Sequence, residues 1–130
     1  MSVLPPYAAL LGLTMTRDDT GAPMLTMPFA DGVLGRPGFL HGGAIAGLLE
    51  IAAVTALRHA LGDDGSGVGI VPLTITVDYR RGGREALTYA AGIVTRLGTR
   101  IAHVDATAWQ DDRARPIATA RTNWQLVRPA

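Results

Sequence analysis

The chain has 130 residues, 48% of them hydrophobic, a formal net charge of +1, and neither Cys nor Lys. Such a length builds one core and not two, and a near-neutral charge without a basic stripe argues against nucleic-acid binding and against a basic membrane-surface protein. Without Cys there are no disulfides, thiolate nucleophiles or Cys-ligated zinc; without Lys there is no Schiff base and no phosphate-loop lysine.

The N-terminal stretch 1–11 is predicted to hold a short helix over 4–11, with Pro in its first turn and Gly12 ending it. Residues 13–17 and 24–29 read as a first hairpin across the turn-forming cluster Asp18-Asp19-Thr20-Gly21. A loop over 30–40 leads to a central helix over 41–61, built almost wholly of Ala, Leu, Ile and Val. A helix apolar on every side is expected to be buried on every side. Gly62 caps it, and the Asp/Gly/Ser loop that follows reads as exposed.

From residue 69 the period changes. Val71, Leu73, Ile75, Val77 and Tyr79 alternate with Pro72, Thr74, Thr76 and Asp78, the mark of a half-buried strand. The turn Arg81-Gly82-Gly83-Arg84 leads to a second strand over 86–97, then a third over 100–110 and a fourth over 116–127. Joined by tight turns, these four predict an antiparallel meander over 69–127. Hairpin, helix and four strands in that order indicate α+β, in a single domain over 1–130, with a curved sheet wrapped around the one long helix. The start of the chain lacks a signal core, and Glu50 and Arg58 interrupt the apolar run short of a membrane span, so a cytoplasmic protein without a membrane partner is expected.

Glu50 is the anomaly. A carboxylate within an apolar helix costs several kcal/mol unless it is paired, hydrogen-bonded or protonated, so a function is worth seeking there. The rest of the inventory is sparse. Ser2 and Ser66 are the only serines, and neither sits on a strained elbow. His41, His59 and His103 make no metal spacing: His41 reads as a helix-start residue, His59 as a dipole partner, and His103 as a sheet histidine. Asp78 reads as a surface residue or a subunit contact.

His41-Gly42-Gly43, six residues, then Glu50, all ahead of four strands, resembles the hotdog-fold acyl-CoA thioesterases, specifically the phenylacetate-pathway and 4-hydroxybenzoyl-CoA type. The likeness spans 32–127, and the stretch 73–80 resembles that family's first long strand after the helix. It implies a helix wrapped by a sheet, subunits paired side by side as a homodimer or a tetramer of two dimers, and hydrolysis of an acyl-CoA with no metal or redox cofactor. It also implies Glu50 as general base or nucleophile, with the Gly42 amide and His41 at the reacting carbonyl.

The chemistry can be argued separately. Amides at a helix start are unpaired and lie at the positive end of the dipole, and Gly42 and Gly43 leave them open to a developing oxyanion. Eight residues of helix separate Gly42 from Glu50, about 12 Å of rise, whereas reacting groups must meet within about 3–3.5 Å. If the chain is a hydrolase, Gly42 of one subunit therefore works with Glu50 of another. Gly43, Phe39, Leu40 and Leu49 are expected to form an apolar substrate seat, and Arg80, Arg81 and Arg84 either to meet the phosphates of coenzyme A or to make a solvated turn.

Two positions depart from the family pattern. Gly35 stands where many relatives have Asn or Gln, and Pro72 where some have Ser or Thr; Thr74, Thr76 and Asn123 are candidate substitutes. Two rivals follow: a hydratase or dehydratase on the same fold using His41 and Glu50, and a non-catalytic acyl-CoA-binding protein.

Overall fold

The structure is a computed structural model that describes residues 4–130. Its elements are α1 (Pro6–Leu11), β1 (Thr14–Arg17), β2 (Pro23–Met27), α2 (Gly42–Leu61), β3 (Gly69–Tyr79), β4 (Thr88–Leu97), β5 (Ile101–Trp109) and β6 (Ala118–Val127). Residues 1–3 of the expected N-terminal segment lie outside the described residues. Gly12, in the left-handed region at φ 69°, closes α1 by donating its N–H to the carbonyls of Ala8 and Ala9.

The six strands form one antiparallel sheet in the order β1-β2-β4-β5-β6-β3, and α2 packs against it, chiefly on β4 and β5. This is the expected α+β hotdog arrangement. Small residues allow the close fit. The inward positions of β4 to β6 include Ala90, Ala102, Ala106, Ala108, Ala118 and Ala120, all buried. On β4, a Cβ at Gly92 would lie 2.8 Å from the Ala56 Cβ and 2.9 Å from the Ala52 carbonyl oxygen. The helix rests directly on the strand there.

The meander is corrected by the topology. β3 does not pair with β4; it crosses the sheet and pairs with β6 from Gly69↔Val127 to Tyr79↔Ala118. Arg81-Gly82-Gly83-Arg84 is therefore part of a crossover and not a hairpin turn. Its glycines are required by packing: a Cβ at Gly82 would meet the Phe39 ring at 2.6 Å, and one at Gly83 would meet Leu40 at 2.8 Å.

The regular alternation expected along β3 also fails. The register slips between Pro72 and Thr74, where Pro72 has no N–H for the ladder. Val71, opposite exposed Gln125, thus lies on the outer face, while Ile75 and Val77, opposite buried Thr122 and Ala120, face the helix.

Nor is α2 buried on every side. Leu48, Leu49, Ala53 and Leu57 are shut inside, but Ala46, Glu50 and Val54, spaced one turn apart, are only half-buried. By length and composition α2 would also serve as a membrane span, at a mean hydropathy of 1.5, so Glu50 and Arg58 do not interrupt it as expected. Here it is the core helix, laid under its own sheet. Arg58 turns away to donate to the carbonyls of Gly65 and Val68, which ties down the loop after the helix.

Candidate active site

The loop before α2 is built to present the helix start. Gly38, at φ 84°, permits a tight turn in which Phe39 N–H donates to the Arg36 carbonyl and Gly35 N–H to the Phe39 carbonyl. Leu40 N–H reaches the Gly83 carbonyl, and His41 N–H the Val33 carbonyl at 2.8 Å. His41 arrives extended (φ −68°, ψ 133°) as the helix N-cap, and its Nδ1 accepts the Gly43 N–H at 2.8 Å. An accepting Nδ1 leaves the proton of a neutral ring on Nε2. His41 is thus the helix-start residue that its position suggested.

That cap uses the Gly43 amide and leaves its neighbour free. The Gly42 N–H has no partner among the described residues, while the Gly42 carbonyl accepts the Tyr79 hydroxyl at 2.8 Å. A helix start fixed at both flanks, with one unpaired N–H at its positive end, can bind an anionic oxygen. Two turns on, the Glu50 carboxylate has no hydrogen bond or ion pair among the described residues. It occupies the uncovered stripe with Ala46 and Val54, not the helix's buried side. α2 runs without a break from Gly42 to Leu61, so the rise of about 12 Å between Gly42 and Glu50 stands.

The expected apolar seat divides. Leu40 and Leu49 are core residues in the single chain, with Leu49 fully enclosed, and both pack under the sheet. Phe39 is half-buried beneath two guanidinium groups, the Arg36 Cζ 4.1 Å and the Arg84 Cζ 4.8 Å from its ring centre. Gly43 and His41 instead line a recess of 330 Å³ between α1 and α2, beside Tyr7 and Leu11.

The arginines divide too. Arg81 and Arg84 share a depression with Gln110, Asp112 and Arg115 at the crossover. Arg80 lies on the outer face of the sheet with Asp78, Asp105 and Arg121, and its Nε donates to the Thr119 hydroxyl at 3.3 Å. The sequence grouped these three because they are adjacent; past the end of β3 they line two different depressions.

The two departures from the family pattern have a structural context. A Cβ at Gly35 would lie 2.9 Å from the His41 Cα, so the loop as folded has no room for a side chain there. Thr74 and Thr76 stand opposite Asn123 and Arg121 on the outer face, and Asn123 is hydrogen-bonded to the ring of His103. None of these three candidate substitutes reaches the helix start. His59 is exposed at the last turn of α2. Among the described residues, no group of three or more His, Asp or Glu is arranged to hold a metal ion.

Tyr79, Arg36 and Tyr7 were not identified from sequence. Tyr79 read as one more apolar position on a strand, Arg36 as a loop residue, and Tyr7 as part of a terminal helix. Only the crossover, which brings the end of β3 to the start of α2, gives Tyr79 its contact with Gly42.

Known proteins share this fold. A Chromobacterium violaceum protein of solved structure is 35% identical over 92% of this chain and 82% of its own, with a TM-score of 0.72. A Bacillus halodurans protein solved with CoA gives a TM-score of 0.84 over 97% of this chain and 81% of its own, at 19% identity. A phenylacetic acid degradation-related protein from Ralstonia eutropha gives 0.79 over 95% and 92%, at 21% identity. These last two likenesses concern the fold. No protein of curated function matches the sequence. The thioesterase superfamily profile matches residues 37–117, more than half of the chain. That stretch takes in His41, the free amide of Gly42, Glu50 and Tyr79, and the chain belongs to the thioesterase superfamily.

Proposed function

We propose that the protein is a cytoplasmic homodimeric hydrolase of acyl-CoA thioesters, with each active site shared between two subunits. The observation that carries this reading is the pairing of an unpartnered Gly42 N–H with an unpartnered Glu50 carboxylate on one helix, too far apart to meet within it. A thioester carbonyl accepts a hydrogen bond from the Gly42 amide of one subunit, which stabilises the oxyanion as it forms. Glu50 of the other subunit either removes a proton from the attacking water or attacks the carbonyl carbon itself, in which case water then cleaves the resulting anhydride. In both routes the carbon–sulfur bond breaks, coenzyme A leaves as a thiol, and no metal or redox cofactor takes part.

A two-fold axis that sets Gly42 against Glu50 of the partner passes the residue midway between them, Ala46. A small side chain on the uncovered stripe suits the close approach of two helices. The edge strand β3 supports the same interface, since Val71, Leu73 and Tyr79 are 42%, 51% and 54% exposed in the single chain. Arg36, Arg81 and Arg84 are free of ion pairs among the described residues, and their chemistry suits the phosphates of coenzyme A.

The test is thiol release from a panel of acyl-CoAs, with Glu50→Gln alongside. Release by the native protein and not by the variant supports hydrolysis. A change in acyl saturation without thiol would point to the lyase rival, for which a His41 ring engaged at Nδ1 by Gly43 still holds its Nε2–H. Binding without turnover would leave only a carrier. Full activity of Glu50→Gln would end the assignment.

A further inference from the structure

We infer that the recess between α1 and the first turn of α2 receives the acyl group of the thioester, and that Tyr7 is the residue that limits its size. For the identity of the ligand this rests on the hydrolase reading above; the recess itself rests on three observations.

The first is place. His41 and Gly43 form one side of the recess and flank Gly42, so the recess opens beside the residue whose amide is free. The second is chemistry. Leu11, Gly32, Leu34, Ala44 and the Tyr7 ring make the remaining wall, without a charged group. Two other depressions among the described residues carry charge, Asp78, Arg80, Asp105 and Arg121 in one and Arg81, Arg84, Asp112 and Arg115 in the other. An acyl chain desolvates favourably only against the first kind of surface.

The third observation concerns how Tyr7 is held. A Cβ at Gly47 would lie 2.9 Å from the Tyr7 ring edge, 3.1 Å from its hydroxyl and 3.2 Å from a Leu11 methyl. Glycine at 47 is what lets α1 lie this close to α2. The ring is nonetheless 47% exposed, and its hydroxyl has no hydrogen-bond partner among the described residues. Tyr7 is therefore a wall held by packing on one side only, and a substitution there changes the volume without unmaking a polar network. The 330 Å³ recess is open to solvent on one side, so the acyl group it favours is set by the walls it has, of which the Tyr7 ring is the largest.

The test measures binding and not turnover, so that it stays separate from hydrolysis. In a Glu50→Gln background, dissociation constants are measured by calorimetry for coenzyme A and for its acetyl, hexanoyl, phenylacetyl and palmitoyl thioesters. Tyr7→Ala is the main variant; Tyr7→Leu keeps an apolar cover over Gly47 should alanine loosen α1, and Gly47→Ala displaces the ring from behind. With Tyr7 present, phenylacetyl-CoA and hexanoyl-CoA bind more tightly than coenzyme A. Tyr7→Ala shifts the preference between palmitoyl and phenylacetyl thioesters by about tenfold or more toward palmitoyl, with coenzyme A unchanged. Tyr7→Leu and Gly47→Ala shift it less, in the same direction. Parallel changes for every ligand, or no acyl thioester bound better than coenzyme A, would overturn the assignment. If the native protein releases no thiol yet the shift is found, the hydrolase reading fails and the recess stands.

Discussion

The two edges of the sheet differ in a way that explains the molecule. β1 is an edge of four residues, Thr14–Arg17, and the turn after it is tied to itself. The Asp18 carboxylate accepts the Thr20 N–H and hydroxyl and the Ala22 N–H, and pairs with Arg113 at 3.4 Å. β3, at the other edge, is eleven residues long, with no charge before Asp78 and several large apolar side chains in the open. Natural sheets blunt their free edges by shortness, charge or cover. β1 uses the first two. β3 uses neither; Pro72 and the register slip beside it break its ladder instead, and in the homodimer proposed above a second chain would cover its apolar side chains.

Changes at β3 and along the open stripe of α2 should lower activity, and the most disruptive of them assembly too, whereas changes on the β1 side should do neither. The largest effect is expected for Glu50→Gln, which should lower thiol release by about 10²–10⁴-fold, the usual worth of a general base, with the circular dichroism spectrum unaltered. Next comes Ala46→Arg. Two guanidinium groups facing each other across the proposed axis would cost several kcal/mol, so sedimentation should find monomer and the assay no activity. A dimer that survives this change would move the axis elsewhere.

Tyr79→Phe is smaller. It removes the hydroxyl that holds the Gly42 carbonyl, and denaturant unfolding should show a loss of about 0.5–1.5 kcal/mol. Because the helix start loosens with it, kcat should fall while the acyl preference stays. Smallest is Asp18→Asn at the sheltered edge. The Thr20 hydroxyl, then the Thr20 and Ala22 amides and Arg113, hold the Asp18 carboxyl below the ordinary aspartate range despite an opposing effect of burial. A carboxyl lowered by folding stabilises the native state above its unfolded pKa, and the contribution fades as the pH falls through the folded value. The stability gap between wild type and Asp18→Asn should be constant at neutral pH and close in acid, with activity untouched throughout.

The sequence was most legible where a single element sets the pattern. The run from His41 to Leu61 specifies its helix, its cap and its odd carboxylate by residue type alone, and the strands β4 to β6 follow from their turns. It was least legible where distant segments meet. Gly82-Gly83 reads as a hairpin signal, but these glycines are there because Phe39 and Leu40 lie on the backbone. Leu40 and Leu49 read as pocket residues since apolarity does not distinguish a core wall from a substrate wall. Glu50 was expected deep inside because a helix of Ala and Leu carries no mark of which stripe its own sheet leaves open. Tyr7 and Tyr79 lie far from the motif in the chain and join it only through α1 and the crossover of β3.

A site divided between two chains can be tested by complementation. Gly42→Pro removes the N–H at the first helical position, where proline is well tolerated; His41 is already extended, and a Cβ at 42 meets Tyr79 only at an ordinary 3.4–3.5 Å. This variant and Glu50→Gln should each be inactive alone. Refolded together in equal amounts, they should recover about a quarter of native thioester hydrolysis, because half of the dimers then hold one intact site of two. No recovery, with mixed dimers shown to form, would contradict the shared site.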